Sequence, residues 1–163
     1  MRVFRASRRA RAAFDPLDSS ASVARDGWRF NDKRSEILYT AEVQALSILE
    51  VAARPGWDTV DELTIAAIEI PDGTVVELSD LGIVLPSNWN LRPVGSNARS
   101  IGGEFLAAVD REASAHRRVC GVRVPSVIST TDHNVLLDPR QKASFSVAAW
   151  ARIPFNWLVG TAT

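Results

Sequence analysis

Between Ala41 and Ala53, Val43, Ala45, Leu46, Ile48, Leu49, Val51 and Ala52 follow one another so closely that, at about 100° per residue, they surround nearly the whole circumference of a helix. Such a helix is expected to be buried. Gln44, Ser47 and Glu50, three apart, form its one narrow polar stripe beyond the first turn, and that stripe must face water or a polar cavity. Thr40 is placed to cap the helix and Pro55-Gly56 to stop it.

Strand signals lie on both sides. Val3 to Ala6 and Ile37 to Tyr39 read as short strands and Leu63 to Ile70 as a longer β-branched one, with Pro71-Asp72-Gly73 turning into a second strand from Val75 to Leu78, a predicted hairpin. Ser7 is placed to cap a brief arginine-rich helix ending near Phe14, ahead of Asp15-Pro16. Residues 15 to 36 read as a long loop or broken strand containing the aromatic island Trp28-Arg29-Phe30-Asn31, and an ordered loop of that length usually carries function. Leu85 to Asn90 and Pro93 to Asn97 also read as loop, followed by a helix from about Ser100 to Ser114. Strands are expected over Val119 to Val124 and Ser144 to Ile153, with Asp132-His133-Asn134 and Asp138-Pro139 as punctuation between them. The order lacks regular βαβ alternation, so the fold class is α+β, and 163 residues suit a single domain spanning 1–163.

Lysine plus arginine and aspartate plus glutamate number 19 each, so no global field draws the chain to nucleic acid or to an anionic membrane. The cluster Arg5, Arg8, Arg9, Arg11 reads as a solvated helix face. The one cysteine, Cys120, has no internal disulfide partner, and neither a leader's apolar core nor a membrane span is evident, so a cytoplasmic location is expected. Walker, Gly-x-Gly-x-x-Gly, Cys-x-x-Cys and His-Glu-x-x-His patterns are missing, and His116 and His133 lie in charged or turn-like settings; no metal site is expected.

What remains is a set of polar residues in apolar or aromatic settings: Arg29, Tyr39, Glu50 and Ser126. Each has an ordinary structural explanation. Together they suit a dinucleotide, because a guanidinium grips phosphate bidentately, a tyrosine ring packs on a flat heterocycle, and a carboxylate and a hydroxyl can hold a ribose.

Asp26-Gly27-Trp28-Arg29-Phe30-Asn31, Leu38-Tyr39-Thr40-Ala41-Glu42 and Ala45-Leu46-Ser47-Ile48-Leu49-Glu50 resemble successive motifs of the RES-domain toxins. Leu85-Pro86-x-x-Trp89, Ser100-Ile101-Gly102, Val124-Pro125-Ser126-Val127-Ile128 and Asn134-Val135-Leu136-Leu137-Asp138-Pro139 continue the same family's order, so the resemblance spans nearly the whole chain. It implies a fold of mixed β-sheets and flanking helices similar to the diphtheria-toxin-like ADP-ribosyltransferases. It also implies depletion of NAD by cleavage of the nicotinamide–ribose bond. Under it Glu50 stabilises the transition state, Arg29 holds the pyrophosphate or carboxamide side, Tyr39 stacks on nicotinamide and Ser126 bonds the ribose end. NAD is substrate, no further cofactor is implied, and water, inorganic phosphate or a protein remain open as acceptor. The implied partner is a helix-turn-helix antitoxin, with room left for a homodimer. A noncatalytic interaction module built around Trp28 and Trp89, and a nucleic-acid toxin using Arg5 to Arg11, are the competing readings.

Overall fold

Six consecutive residues, Leu63 to Ile68, are buried, which a strand achieves only when both of its faces are covered. They belong to β3 (Glu62–Glu69), whose two edges are taken by β1 (Arg2–Ser7) and by β7 (Ser146–Pro154), both antiparallel. The structure, a computed structural model, describes residues 1–8, 11–24, 27–53 and 62–154; the expected helix stop at Pro55-Gly56 lies outside these. The remaining strands are β2 (Leu38–Ala41), β4 (Val75–Glu77), β5 (Gly121–Pro125) and β6 (His133–Leu137). They complete one seven-stranded sheet in the order β4-β5-β6-β2-β1-β3-β7. Among the described residues only the β4–β5 pairing is parallel, so the sheet is mixed and the class is α+β.

The predicted hairpin does not form. The turn at Asp72-Gly73 exists, with Gly73 at φ +72°, but β4 leaves β3 and pairs with β5 at the far end of the sheet. With both edges of β3 occupied, no ladder is available to a returning strand. The strand β6 falls where the sequence reads as punctuation. Its Leu136 packs with Phe105, Val122 and Val124 on one face, while Val135 and Leu137 pack with Leu38 and Ile68 on the other.

Among the described residues, two α-helices lie against this sheet. The first, α1 (Gln44–Ala52), begins later than expected. Thr40 and Ala41 are held in β2 opposite Val135 and Asn134, and the Thr40 hydroxyl donates to the Val135 carbonyl at 2.9 Å instead of capping. Nor is α1 buried all round. Leu46, Ser47, Ile48 and Val51 are covered, the last two over Leu63 and Ile65, whereas Leu49 is 47% exposed. Ser7, expected to cap a helix, is the last residue of β1 opposite Thr64, and a short 3-10 turn lies at Arg11–Ala13.

The second helix, α2 (Ser96–Ser114), starts at Gly95 in extended conformation. It buries Ala98, Ile101, Gly102, Phe105, Ala108 and Val109, a helical stripe. Gly102 lets the loop before β2 lie directly on it: its N–H donates to the Phe30 carbonyl at 2.6 Å, and a Cβ there would sit 2.6 Å from that oxygen. Gly102→Ala should therefore lower stability by about 1–3 kcal/mol, because overpacking outweighs the roughly 0.5–1 kcal/mol that alanine gains in a helix. Urea unfolding would show the loss as a lower midpoint at constant slope, and an unchanged midpoint would contradict the contact.

Candidate active site

β2 runs almost directly into α1, so Tyr39 and Glu50 are carried by one short stretch of chain. Opposite them, the β5–β6 ladder pairs Val124 with Asn134 and Pro125 with His133. That register brings Ser126, just past β5, and Asn134, at the start of β6, against the Glu50 carboxylate. Ser126 Oγ donates to Glu50 Oε1 at 2.9 Å and Asn134 Nδ2 donates to the same oxygen at 2.6 Å. Among the described residues nothing donates to Glu50 Oε2. One carboxylate oxygen is clamped, and the side chain lines a cleft.

That cleft has a volume of about 730 Å³, in the range of small-molecule and cofactor sites, and Glu50, Asn134, Tyr39, Trp28 and Arg29 line it. Ser47 lines it too, so the polar stripe of α1 does face a polar cavity over Ser47 and Glu50. Of the four residues singled out in the sequence, Arg29, Tyr39 and Glu50 reach the cleft wall. Ser126 is 7% exposed and stands behind Glu50, its oxygen also accepting from the Ile128 N–H at 3.0 Å, while Pro125, Val127 and Ile128 form the wall beside it.

The aromatic wall is organised by Asn31, which is fully buried. Its Nδ2 donates to the carbonyls of Ser22, Asp32 and Ser35, each at 2.9 Å, and its Oδ1 accepts from the Tyr39 hydroxyl at 2.8 Å. The Tyr39 oxygen in turn accepts from the Phe30 N–H at 3.1 Å. Trp28 lies on Tyr39 with ring centroids 4.8 Å apart and planes tilted by 42°, so Tyr39 already has one aromatic neighbour. Gly27 makes the turn possible at φ +82°, where a Cβ would lie 2.2 Å from the Asn31 carbonyl oxygen.

Arg29 Nη1 donates to the carbonyls of Trp89 at 2.9 Å and Leu91 at 3.3 Å, clipping the aromatic island to the loop that precedes α2. Burial and then the charge of Arg92 pull the Arg29 guanidinium below the usual arginine range, while Glu50 and Tyr39 act in the opposite sense. Within the basic cluster, Arg5 and Arg8 lie on no solvated helix face, and Arg9 lies outside the described residues. Arg5 and Arg8 line the cleft, Arg5 donating to the carbonyls of Pro16 and Asp18 and Arg8 to that of Val51 at 2.9 Å.

Neither histidine lines the cleft: His133 sits 3.7 Å from Glu42 on β6 and His116 occupies an exposed turn. No group of three metal-binding side chains occurs among the described residues, and no helix there is long and apolar enough to cross a membrane. Asn134 is the site residue that sequence reasoning missed, since a lone asparagine among turn formers carries no mark of its partner.

Asn31→Asp tests whether this hub holds the wall. It keeps the acceptor for Tyr39 but sets a carboxylate against three carbonyls, and should cost about 3 kcal/mol or more by urea denaturation. A loss below about 1 kcal/mol would show that the wall stands without it.

The RES domain family model matches residues 2–158. The chain is 31% identical over 118 residues to toxin Res of Yersinia enterocolitica serotype O:8 / biotype 1B, covering 72% of this chain and 71% of that protein. It is 28% identical over 117 residues to toxin Res of Photorhabdus laumondii, covering 71% and 69%. In fold it is similar to a chain from the crystal structure of the M. tuberculosis MbcT–MbcA toxin–antitoxin complex, with a TM-score of 0.68 at 14% identity over 98% of this chain and 87% of that one. From the matched span and from these relatives, the chain belongs to the RES domain family of toxins.

Proposed function

We propose that this toxin cleaves the nicotinamide–ribose bond of NAD and that an antitoxin protein holds it in check. The observation that carries the reading is the Glu50 carboxylate, clamped at Oε1 by Ser126 and Asn134, with no donor to Oε2 among the described residues, in a cleft that Trp28, Tyr39 and Arg29 also line. When the bond between the ribose C1′ and the pyridinium nitrogen breaks, its electron pair passes to that nitrogen and nicotinamide leaves neutral. The leaving group needs no proton, so the cleft needs no general acid. The ribose is left with oxocarbenium-like positive charge, and a fixed carboxylate beside it stabilises the transition state more than the ground state. The acceptor oxygen, from water or inorganic phosphate, then bonds to C1′, water losing a proton as it does so.

In this scheme Arg29 holds the anionic or carboxamide side of the substrate, and Tyr39 with Trp28 forms the wall for the flat ring. Ser126 and Asn134 position Glu50, which moves Ser126 from a ribose contact to a support of the carboxylate. The antitoxin is expected to be a helix-turn-helix protein that obstructs the cleft; the solved structure similar in fold comes from a toxin–antitoxin complex.

Incubating the purified chain with NAD and following free nicotinamide tests the reaction. Release of nicotinamide is expected, and a chain that leaves NAD intact would overturn the proposal. Glu50→Gln keeps an oxygen able to accept from both Ser126 and Asn134, so the fold should survive. Loss of about 4 kcal/mol of transition-state stabilisation would slow release about a thousandfold, with far less change in substrate affinity. Release by the folded variant above a tenth of the wild-type rate would remove Glu50 from the mechanism. In cells, NAD should fall before growth stops, and arrest at constant NAD would point to another target.

A further inference from the structure

The cleft carries more positive charge than the bond cleavage uses. Arg29 and Arg92 both line it, and Arg29 is tied to the carbonyls of Trp89 and Leu91, the latter the residue just before Arg92. Two guanidinium groups are thus borne on segments clipped to one another. Arg29 has its Nε and Nη2 without a hydrogen bond among the described residues, and Arg92, which is exposed, makes neither hydrogen bond nor ion pair among them. The charge of Arg92 acts against that of Arg29, and no carboxylate among the described residues is bonded to either. Like charges gathered at a partly buried site cost free energy until an anion lies between them. The same loop supplies Pro93 and Val94 to the cleft wall, and α2 opens immediately after it with no acidic residue in its first turn, so nothing there opposes an anion.

We propose that Arg29 and Arg92 together form a subsite for the diphosphate bridge of a dinucleotide, with Arg92 as a binding residue of the substrate. Two planar forks offer paired donors to the oxygens of two adjoining phosphoryl groups, a match that a carboxylate with two oxygens does not fill. Glu50 lines the same cleft, and its charge acts on Arg29. The inference rests on the dinucleotide reading of the cleft, but not on turnover.

The test is calorimetric titration of the full chain with ADP, which carries the diphosphate and has no bond to cleave. Wild type should bind ADP, Arg92→Ala should bind it about tenfold more weakly, as expected for a lost charge-assisted contact, and Arg92→Lys should fall between. Melting temperatures should stay at the wild-type value, since Arg92 is exposed and unbonded among the described residues. Unchanged ADP affinity in Arg92→Ala, or a wild type that does not bind ADP, would overturn the proposal. Weaker binding of inorganic phosphate with ADP unaffected would also overturn it, assigning Arg92 to an acceptor phosphate. A chain that binds ADP through Arg92 yet releases no nicotinamide from NAD would leave this subsite standing and defeat the proposed reaction alone.

Discussion

The pairing of β2 with β6 sets Ala41 opposite Asn134, and from that register follows the contact between Asn134 and Glu50, 84 residues apart in sequence. Ser126 reaches the same carboxylate oxygen across 76 residues because β5 pairs with β6 on its other side. Closing loops of that length costs chain entropy that two hydrogen bonds cannot offset. The buried faces of β5, β6 and β2 supply the difference. A slip of one residue in β6 would turn Asn134 to the opposite face and send Leu136 into the wrong core, so the packing that holds the sheet also aims the carboxylate.

The aromatic wall is built by a different device. Residues 27–37 contain no regular strand or helix, yet Asn31 holds three carbonyls and the Tyr39 hydroxyl, and Gly102 of α2 allows the Phe30 carbonyl to dock without a side chain between them. Phe30 then packs in the core beside Ile101 and Phe105, with Trp89 stacked on it at 5.9 Å. The loop is fastened from beneath, so its outer residues, Trp28 and Arg29, meet a ligand from a fixed backbone. Ordering paid for during folding is not charged again at binding.

Much of this was legible in the sequence, and the exceptions share a cause. Glu50 stood out because α1 has a single polar stripe, and Arg29 and Tyr39 because they interrupt apolar or aromatic runs. The cap at Thr40 and the hairpin after Ile70 were misread because each depends on where a strand finds its partner, which local turn chemistry does not encode. β6 was hidden for a related reason: Val135, Leu136 and Leu137 are buried on both faces, so the alternation that reveals a half-buried strand is missing. Asn134 went with it. Arg5 and Arg8 lost their helix face when β1 ran on to Ser7 and turned them to the cleft.

The cleft brings the carboxylate of Glu50 together with the side chains of Arg29, Tyr39 and Trp28. The central claim is that a dinucleotide lies among them with its nicotinamide ribose at Oε2 of Glu50. A crystal structure of Glu50→Gln soaked with NAD tests it most directly. The account predicts intact NAD with the ribose C1′ beside the cleft-facing end of side chain 50 and the ring against Tyr39 and Trp28. Intact NAD bound with that ribose turned away from position 50, or seated outside the cleft, would contradict it.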